Sequence, residues 1–258
     1  MTWVILFVLG SIVGSFLNVV GLRWDSGRSL GGRSSCPSCG KTLGFFERVP
    51  IVIFVGRRVR CSGCNTRITW QYPLVEIWAG LIFTSLFYAI SPENFLSLLH
   101  YLLVVTVFCI YIVITIYDFK YKIIPDKLVY TAIFLSLLVP LFFANYFLLD
   151  WLSGPILFTF FASIWFFSRG RAMGFGDAKL GLSVGLLLGS AWGFSAIMLS
   201  FWIGAFGSLF YIFLNKVGFL KGAKSLTIKS EVPFAPAIIL GAWIAFVFHL
   251  NILNVTSL

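Results

Sequence analysis

Phe95 to Asp118 read FLSLLHYLLVVTVFCIYIVITIYD, a run with no Asp, Glu, Lys or Arg until its last residue. A bilayer crossing needs about 20 mostly apolar residues, so this stretch is long enough to span, and its only acid stands where the apolar run stops. Seven more apolar stretches lie around it, at about 3–22, 72–90, 128–149, 151–168, 178–189, 192–214 and 234–250. The first is too long for a removed signal peptide and lacks a small-residue cleavage site. The sixth is short for a crossing and reads as tilted or partly re-entrant. Of the 258 residues, 59% are hydrophobic and 11% are charged, where a soluble domain carries about 25% charged residues. A soluble single-core protein, a disordered chain and a nucleic-acid-binding domain are excluded on these figures. The remaining class is an all-α polytopic membrane protein of about eight crossings with one small extramembrane unit.

The charges are distributed as a topology signal. All 19 Lys and Arg residues fall in four segments, 23–71, 118–127, 169–179 and 215–233, and none in the intervening loops near 91–94, 145–151 and 189–192. Lys and Arg concentrate in short cytosolic loops. The four basic segments are therefore placed in the cytosol and both termini outside. Topology accounts for the net charge of +10 without an acidic partner. Gly10 and Gly14, and again Gly181, Gly185 and Gly189, have the four-residue spacing that lets helix backbones approach closely in lipid. The expected organisation is a first transmembrane helix over 1–22, a cytosolic loop domain over 23–71 and a multi-helix membrane domain over 72–258.

Segment 23–71 is the one sizeable polar stretch. It carries Cys36-Pro-Ser-Cys39 and Cys61-Ser-Gly-Cys64, two C-x2-C pairs separated by 21 residues. Two such knuckles close a tetrahedral four-sulfur site that suits zinc. Disulfides are the competing reading, but they need an oxidising compartment, and this is the most basic loop of the chain. Four thiolates leave no open coordination position, so the zinc is read as structural. Cys109, inside an apolar run, is read as packing.

Acids at the ends of crossings are functional candidates, because charge beside lipid is costly. Asp118 ends the third apolar stretch, and Asp177, in Gly174-Phe175-Gly176-Asp177, begins the sixth. The topology puts both at the cytosolic boundary. Two carboxylates facing each other share one proton, so that one serves as base toward a water and the other as acid toward a scissile carbonyl. Plain structural readings stand beside this. Asp177 caps the sixth helix, and Asp118 pairs with Lys120 or Lys122. Asp126, after Ile124-Pro125, is read as the N-cap of the fourth helix. Asn18 and Glu76 lie near the cytosolic ends of their helices. They line the same cleft, as candidates for cofactor contact, or join helices by hydrogen bonds. Gly181-Leu182-Ser183-Val184-Gly185 matches a nucleophile-elbow pattern, but that motif needs a strand–turn–helix and this one lies within an apolar helix. Lys179 and Ser183 are one turn apart with nothing else behind a Ser–Lys reading. His100 and His249 fall far from the aspartates, and no H-E-x-x-H, P-loop or dinucleotide fingerprint is present.

Taken in order, these motifs resemble the bacterial type IV prepilin peptidases, leader peptidases with N-methyltransferase activity. The resemblance rests on Gly14-Ser15-Phe16-Leu17-Asn18-Val19-Val20, the paired C-x2-C, Tyr72-Pro73-Leu74-Val75-Glu76, Asp118 with Ile124-Pro125-Asp126, Gly174-Phe175-Gly176-Asp177-Ala178-Lys179-Leu180, and Val232-Pro233-Phe234-Ala235-Pro236. It implies an inner-membrane aspartic peptidase with Asp118 and Asp177 as the catalytic pair. It further implies prepilin or pseudopilin substrates, of type IV pili or protein secretion, cut on the cytosolic side just before a hydrophobic helix. The new N-terminal amine is then methylated from S-adenosylmethionine. The cysteine unit fits the bifunctional subgroup. Ala235 departs from the Gly usual in P-F-G-P, a small change. A peptidase without methylation is the nearest alternative. An ion-coupled transporter would want acids at mid-membrane and repeated halves, and neither is visible.

Overall fold

The computed structural model describes residues 1–25, 39, 63–64, 71–142, 148–216 and 233–252. Among these the architecture is all-helical. The helices are α1 (Thr2–Arg23), α2 (Gln71–Ile90), α3 (Phe95–Tyr121), α4 (Asp126–Phe142), α5 (Leu148–Ser168), α6 (Phe175–Lys216) and α7 (Ala235–Val247). Five of them, α1, α2, α3, α5 and α6, are long and apolar enough to cross a membrane. With 17 and 13 residues, α4 and α7 are shorter. The loop domain expected over 23–71 lies almost entirely outside the described residues.

The chain divides into two compact units, 1–91 and 92–258. In the first, α1 packs on α2. The glycine spacing on α1 explains how closely. A Cβ built on Gly14 would stand 2.7 Å from the Ala79 Cβ and 3.0 Å from the Glu76 Cα, so only a residue without a side chain fits against α2 there.

In the second unit α6 is the hub, packed against α4, α5 and α7, while α3 packs on α4 and α7. Tyr111, Phe108, Ile112 and Ile114 of α3 are fully buried with Leu180 and Leu187 of α6 and Ile238 and Ile239 of α7. Outward side chains are apolar too. Trp202, Phe206 and Phe210 are 63%, 69% and 63% exposed at four-residue spacing. That is a lipid-facing stripe, since in water such a surface would drive association. The α5–α6 seam is the tightest contact. A Cβ on Gly185 would lie 2.5 Å from the Gly154 Cα, and the Ser153 hydroxyl donates across the seam to the Gly185 carbonyl at 2.8 Å.

At 42 residues, α6 would be about 63 Å long if straight, roughly twice a bilayer core. It is interrupted by one residue, Gly189, at φ 71°, ψ −169°. The sequence reading placed a loop at 189–192. The chain instead resumes helix at once, because Asp150 caps the restart. Its Oδ1 accepts the Ser190 N–H at 2.9 Å and the Ser190 hydroxyl at 2.5 Å, satisfying donors that a new helix start leaves open. Asp150 is therefore inside α5, which begins at Leu148, so the part of the expected 145–151 loop that is described, 148–151, is helical.

Candidate active site

Asp118 stands in the last turn of α3. The α3 helix ends because Lys122 takes a left-handed conformation, φ 56°, and its N–H closes on the Asp118 carbonyl at 2.8 Å. The Asp118 side chain is only 5% exposed. The backbone N–H of Ala235, at the start of α7, lies beside its carboxyl. Its Oδ2 is buried with no hydrogen-bond partner among the described residues. A buried carboxylate oxygen without a donor is costly and marks a position where a further group is accommodated. Lys120 and Lys122 do not pair with it. The Lys120 ammonium sits instead over the Tyr121 ring at 4.8 Å.

Asp177 is the third residue of α6 and 8% exposed. Its Oδ2 accepts the Gly174 N–H at 3.2 Å, and its own N–H donates to the Gly174 carbonyl. This is the N3 half of a capping box, with Gly174 at the N-cap position. The N-cap reading of Asp177 is therefore corrected: Gly174 holds that position, and Asp177 supports it from inside the helix through one oxygen. Asp118 is among the charges that act on the Asp177 carboxyl, so the two acids, from different helices of the same unit, are electrostatically coupled. Gly176 sets the approach. A Cβ there would stand 2.8 Å from the Ile124 Cβ, so the turn before Asp177 lies directly on the loop that follows Asp118.

Asp126 does not cap α4. The Pro125 carbonyl accepts the Leu128 and Val129 amides, which puts Pro125 at the cap and Asp126 at the first helical position. Its carboxylate pairs with Lys179 at 2.6 Å. The Lys179 ammonium also lies over the Tyr130 and Phe175 rings, at 4.9 and 5.4 Å. This tie fastens the first turn of α6 to the first turn of α4, and it occupies the lysine a Ser–Lys hydrolase would need. Ser183 is fully buried, hydrogen-bonded to Tyr111 at 2.8 Å and Ser136 at 3.0 Å. It lies mid-helix, not on an elbow. His249 packs against Trp192 with tilted rings, their centroids 4.9 Å apart.

In the first unit Asn18 and Glu76 are both buried, at 0% and 5% exposure. The Asn18 Oδ1 accepts from Gln71 at 3.4 Å, while its Nδ2 is buried with no partner among the described residues. The Ser15 hydroxyl lies beside the Glu76 carboxyl. Of the four cysteines read as zinc ligands, Cys39 and Cys64 are described and exposed. Cys36 and Cys61 lie outside the described residues, and with them the four-sulfur site. The donor chemistry, four thiols in two C-x2-C pairs, suits tetrahedral zinc. No cluster of three metal-ligating side chains occurs among the described residues.

The sequence patterns flagged both aspartates but not their backbone partners. The Ala235 and Gly174 amides carry no side-chain signature. The one sign of them is the position of each residue, just where a helix begins next to a flagged motif.

Comparison with known proteins adds to this geometry. Residues 8–90 match the model of the bacterial peptidase A24 N-terminal domain, and residues 103–209 match that of the type IV leader peptidase family. A prepilin leader peptidase/N-methyltransferase of Bacillus subtilis (strain 168) is 30% identical over 97% of this chain and 96% of its own length. One of Pseudomonas putida is 27% identical over 92% of this chain and 88% of its own length. A local match of 48% identity to one of Myxococcus xanthus (strain DK1622) covers 31% of this chain and 24% of that protein. No solved structure matches the chain.

Proposed function

The chain belongs to the type IV leader peptidase family, and from that premise we propose that it is a membrane aspartic endopeptidase and N-methyltransferase. It removes the basic leader of type IV prepilins or pseudopilins at the cytosolic edge of the bacterial inner membrane. It then methylates the new N-terminal amine. The observation that carries the peptidase reading is the pair of buried carboxyls of Asp118 and Asp177 in one unit, one of them with an oxygen that has no donor among the described residues.

In this reading the two carboxyls share one proton. The ionised member takes a proton from a water as the water oxygen bonds to the scissile carbonyl carbon. The protonated member gives its proton to the carbonyl oxygen. As the carbon–nitrogen bond breaks, a proton passes to the leaving amine. The Gly174 amide holds the Asp177 carboxyl through one oxygen, and the Ala235 amide lies beside that of Asp118. S-Adenosylmethionine, when bound, supplies the methyl group for the amine nitrogen. The substrate carries its own apolar helix, so enzyme and substrate meet within the bilayer, and the aspartates at the ends of α3 and α6 face the junction of leader and helix.

The finer topology belongs to the same proposal. With Gly189 dividing α6 into two limbs, the chain makes eight crossings with both termini outside and the basic loops in the cytosol, where Cys36, Cys39, Cys61 and Cys64 hold a structural zinc. The test is incubation of the purified protein with a prepilin precursor and S-adenosylmethionine, read by mass spectrometry. The expected product has lost its leader and gained 14 Da at the new N-terminus, the mass of one methylene. An intact precursor refutes the peptidase, and a cleaved but unmethylated one reduces the reading to a peptidase alone.

A further inference from the structure

The aspartate pair leaves three buried polar atoms without a partner among the described residues, Ser11 Oγ, Asn18 Nδ2 and Trp78 Nε1, all in the first unit, and of these Asn18 has a buried carboxyl on the facing helix. Asn18 is completely buried, yet its Nδ2 has no acceptor among the described residues. Glu76, also buried, has the neutral Ser15 hydroxyl beside its carboxyl, a poor substitute for the water or cation that a carboxylate ordinarily keeps. The two stand on facing helices. Gly14 brings the α1 backbone to 3.0 Å of the Glu76 Cα, measured from a Cβ built on it. Ser15 faces Glu76, and Asn18 accepts from Gln71. The two positions on α1 are three residues apart, about 4.5 Å along the axis. A pure packing polar pair would satisfy itself, as Ser183, Tyr111 and Ser136 do in the second unit.

What remains here is one amide donor without an acceptor among the described residues and one buried carboxyl on the facing helix, about a turn apart. An amino-acid end, with ammonium and carboxylate on a single carbon, offers both charges at that spacing. Of the reactants in the proposed methyl transfer, the methyl donor is the one that has such an end. We infer that Asn18 and Glu76 form the subsite for the methionine moiety of the methyl donor, Asn18 Nδ2 donating to its carboxylate and Glu76 accepting from its ammonium. This rests on the methyl-transfer reading above and names the residues that serve it.

The test is binding, without turnover. Full-length protein in detergent is titrated by calorimetry with S-adenosylhomocysteine, which keeps the amino-acid end, and with 5′-methylthioadenosine, which lacks it. Wild type is expected to bind the first at least 10-fold more tightly. Glu76→Gln and Asn18→Asp keep side-chain shape while removing the anion and the donor respectively. Each is expected to weaken S-adenosylhomocysteine binding 10-fold or more while leaving methylthioadenosine within 2-fold of wild type, which also reports that the variant is folded. The inference is overturned if both variants bind S-adenosylhomocysteine as wild type does, or if both ligands weaken together. A wild type that cleaves precursor, methylates it and binds both ligands equally overturns this subsite but not the function. A wild type that neither methylates nor binds either ligand overturns the methyl-transfer reading, and this subsite with it.

Discussion

Replacing Gly176 by Ala should disable cleavage through geometry alone, since no chemical group is removed. The added Cβ would sit 2.8 Å from the Ile124 Cβ, where ordinary contacts begin at 3.4 Å, so the two loops must part by about 0.6 Å. Ile124 cannot yield by rotating, because the clash is with its Cβ and not with the tip of its side chain. The movement falls on the backbone between Asp118 and α4 on one side and between Gly174 and Asp177 on the other. Overpacking of this kind costs about 1–3 kcal/mol. A misplacement near 1 Å in a catalytic constellation costs on the order of 100-fold in rate. The expected result is a fall of about 10- to 100-fold in kcat/KM on a prepilin precursor, with a smaller loss of thermal stability in detergent. Ile124→Gly in the same chain removes the opposing Cβ and should recover most of the activity, while Ile124→Val should not. Wild-type kcat/KM in Gly176→Ala, or equal rescue by both second-site changes, would refute the reasoning.

Three further outcomes follow from other contacts. Gly185→Leu drives a side chain into the Gly154 backbone, 2.5 Å from a Cβ at that position, and should cost about 3 kcal/mol or more, seen as loss of folded protein in thermal unfolding monitored by circular dichroism. Lys179→Met breaks the ion pair to Asp126, but the Asp126 side chain is 64% exposed, so stability should change by less than about 1 kcal/mol, while cleavage falls several-fold as the first turn of α6 loosens. A melting temperature that drops sharply would mean the pair matters to folding instead. Metal analysis of purified protein should find one zinc per chain and none in a Cys36→Ser, Cys61→Ser double variant. Zinc-free wild type that is folded would reject the four-sulfur site.

The bundle was legible wherever long charge-free runs, such as Phe95 to Tyr117, left no alternative to a buried or lipid-facing helix. The candidate site could be proposed from sequence because acids are scarce and two of them stand at the ends of such runs. What escaped detection was decided by contacts between distant residues. Asp150 looked like a separator between two apolar stretches, yet it sits inside α5, made affordable by Ser190 some 40 residues later. Gly189-Ser190 had the composition of a turn, but the Asp150 cap shortened the interruption to one residue. Asp126 fitted the N-cap pattern, and lost that place because the Pro125 carbonyl already serves the first turn and Lys179 offers a charge. The amides of Ala235 and Gly174 were invisible for a different reason, since every residue but proline has one and only the fold selects which of them meets a carboxylate.

The central claim is that Asp118 and Asp177 act as one unit. Its most direct measurement is cleavage of a prepilin precursor by Asp118→Asn, Asp177→Asn and the double variant, each shown to be folded. Groups that work as a unit are strongly non-additive. The account predicts that each single change lowers kcat by about 100-fold or more and that the double variant is no slower than the slower single. A single variant cleaving near the wild-type rate, or a double variant whose loss is the product of the two, would contradict it.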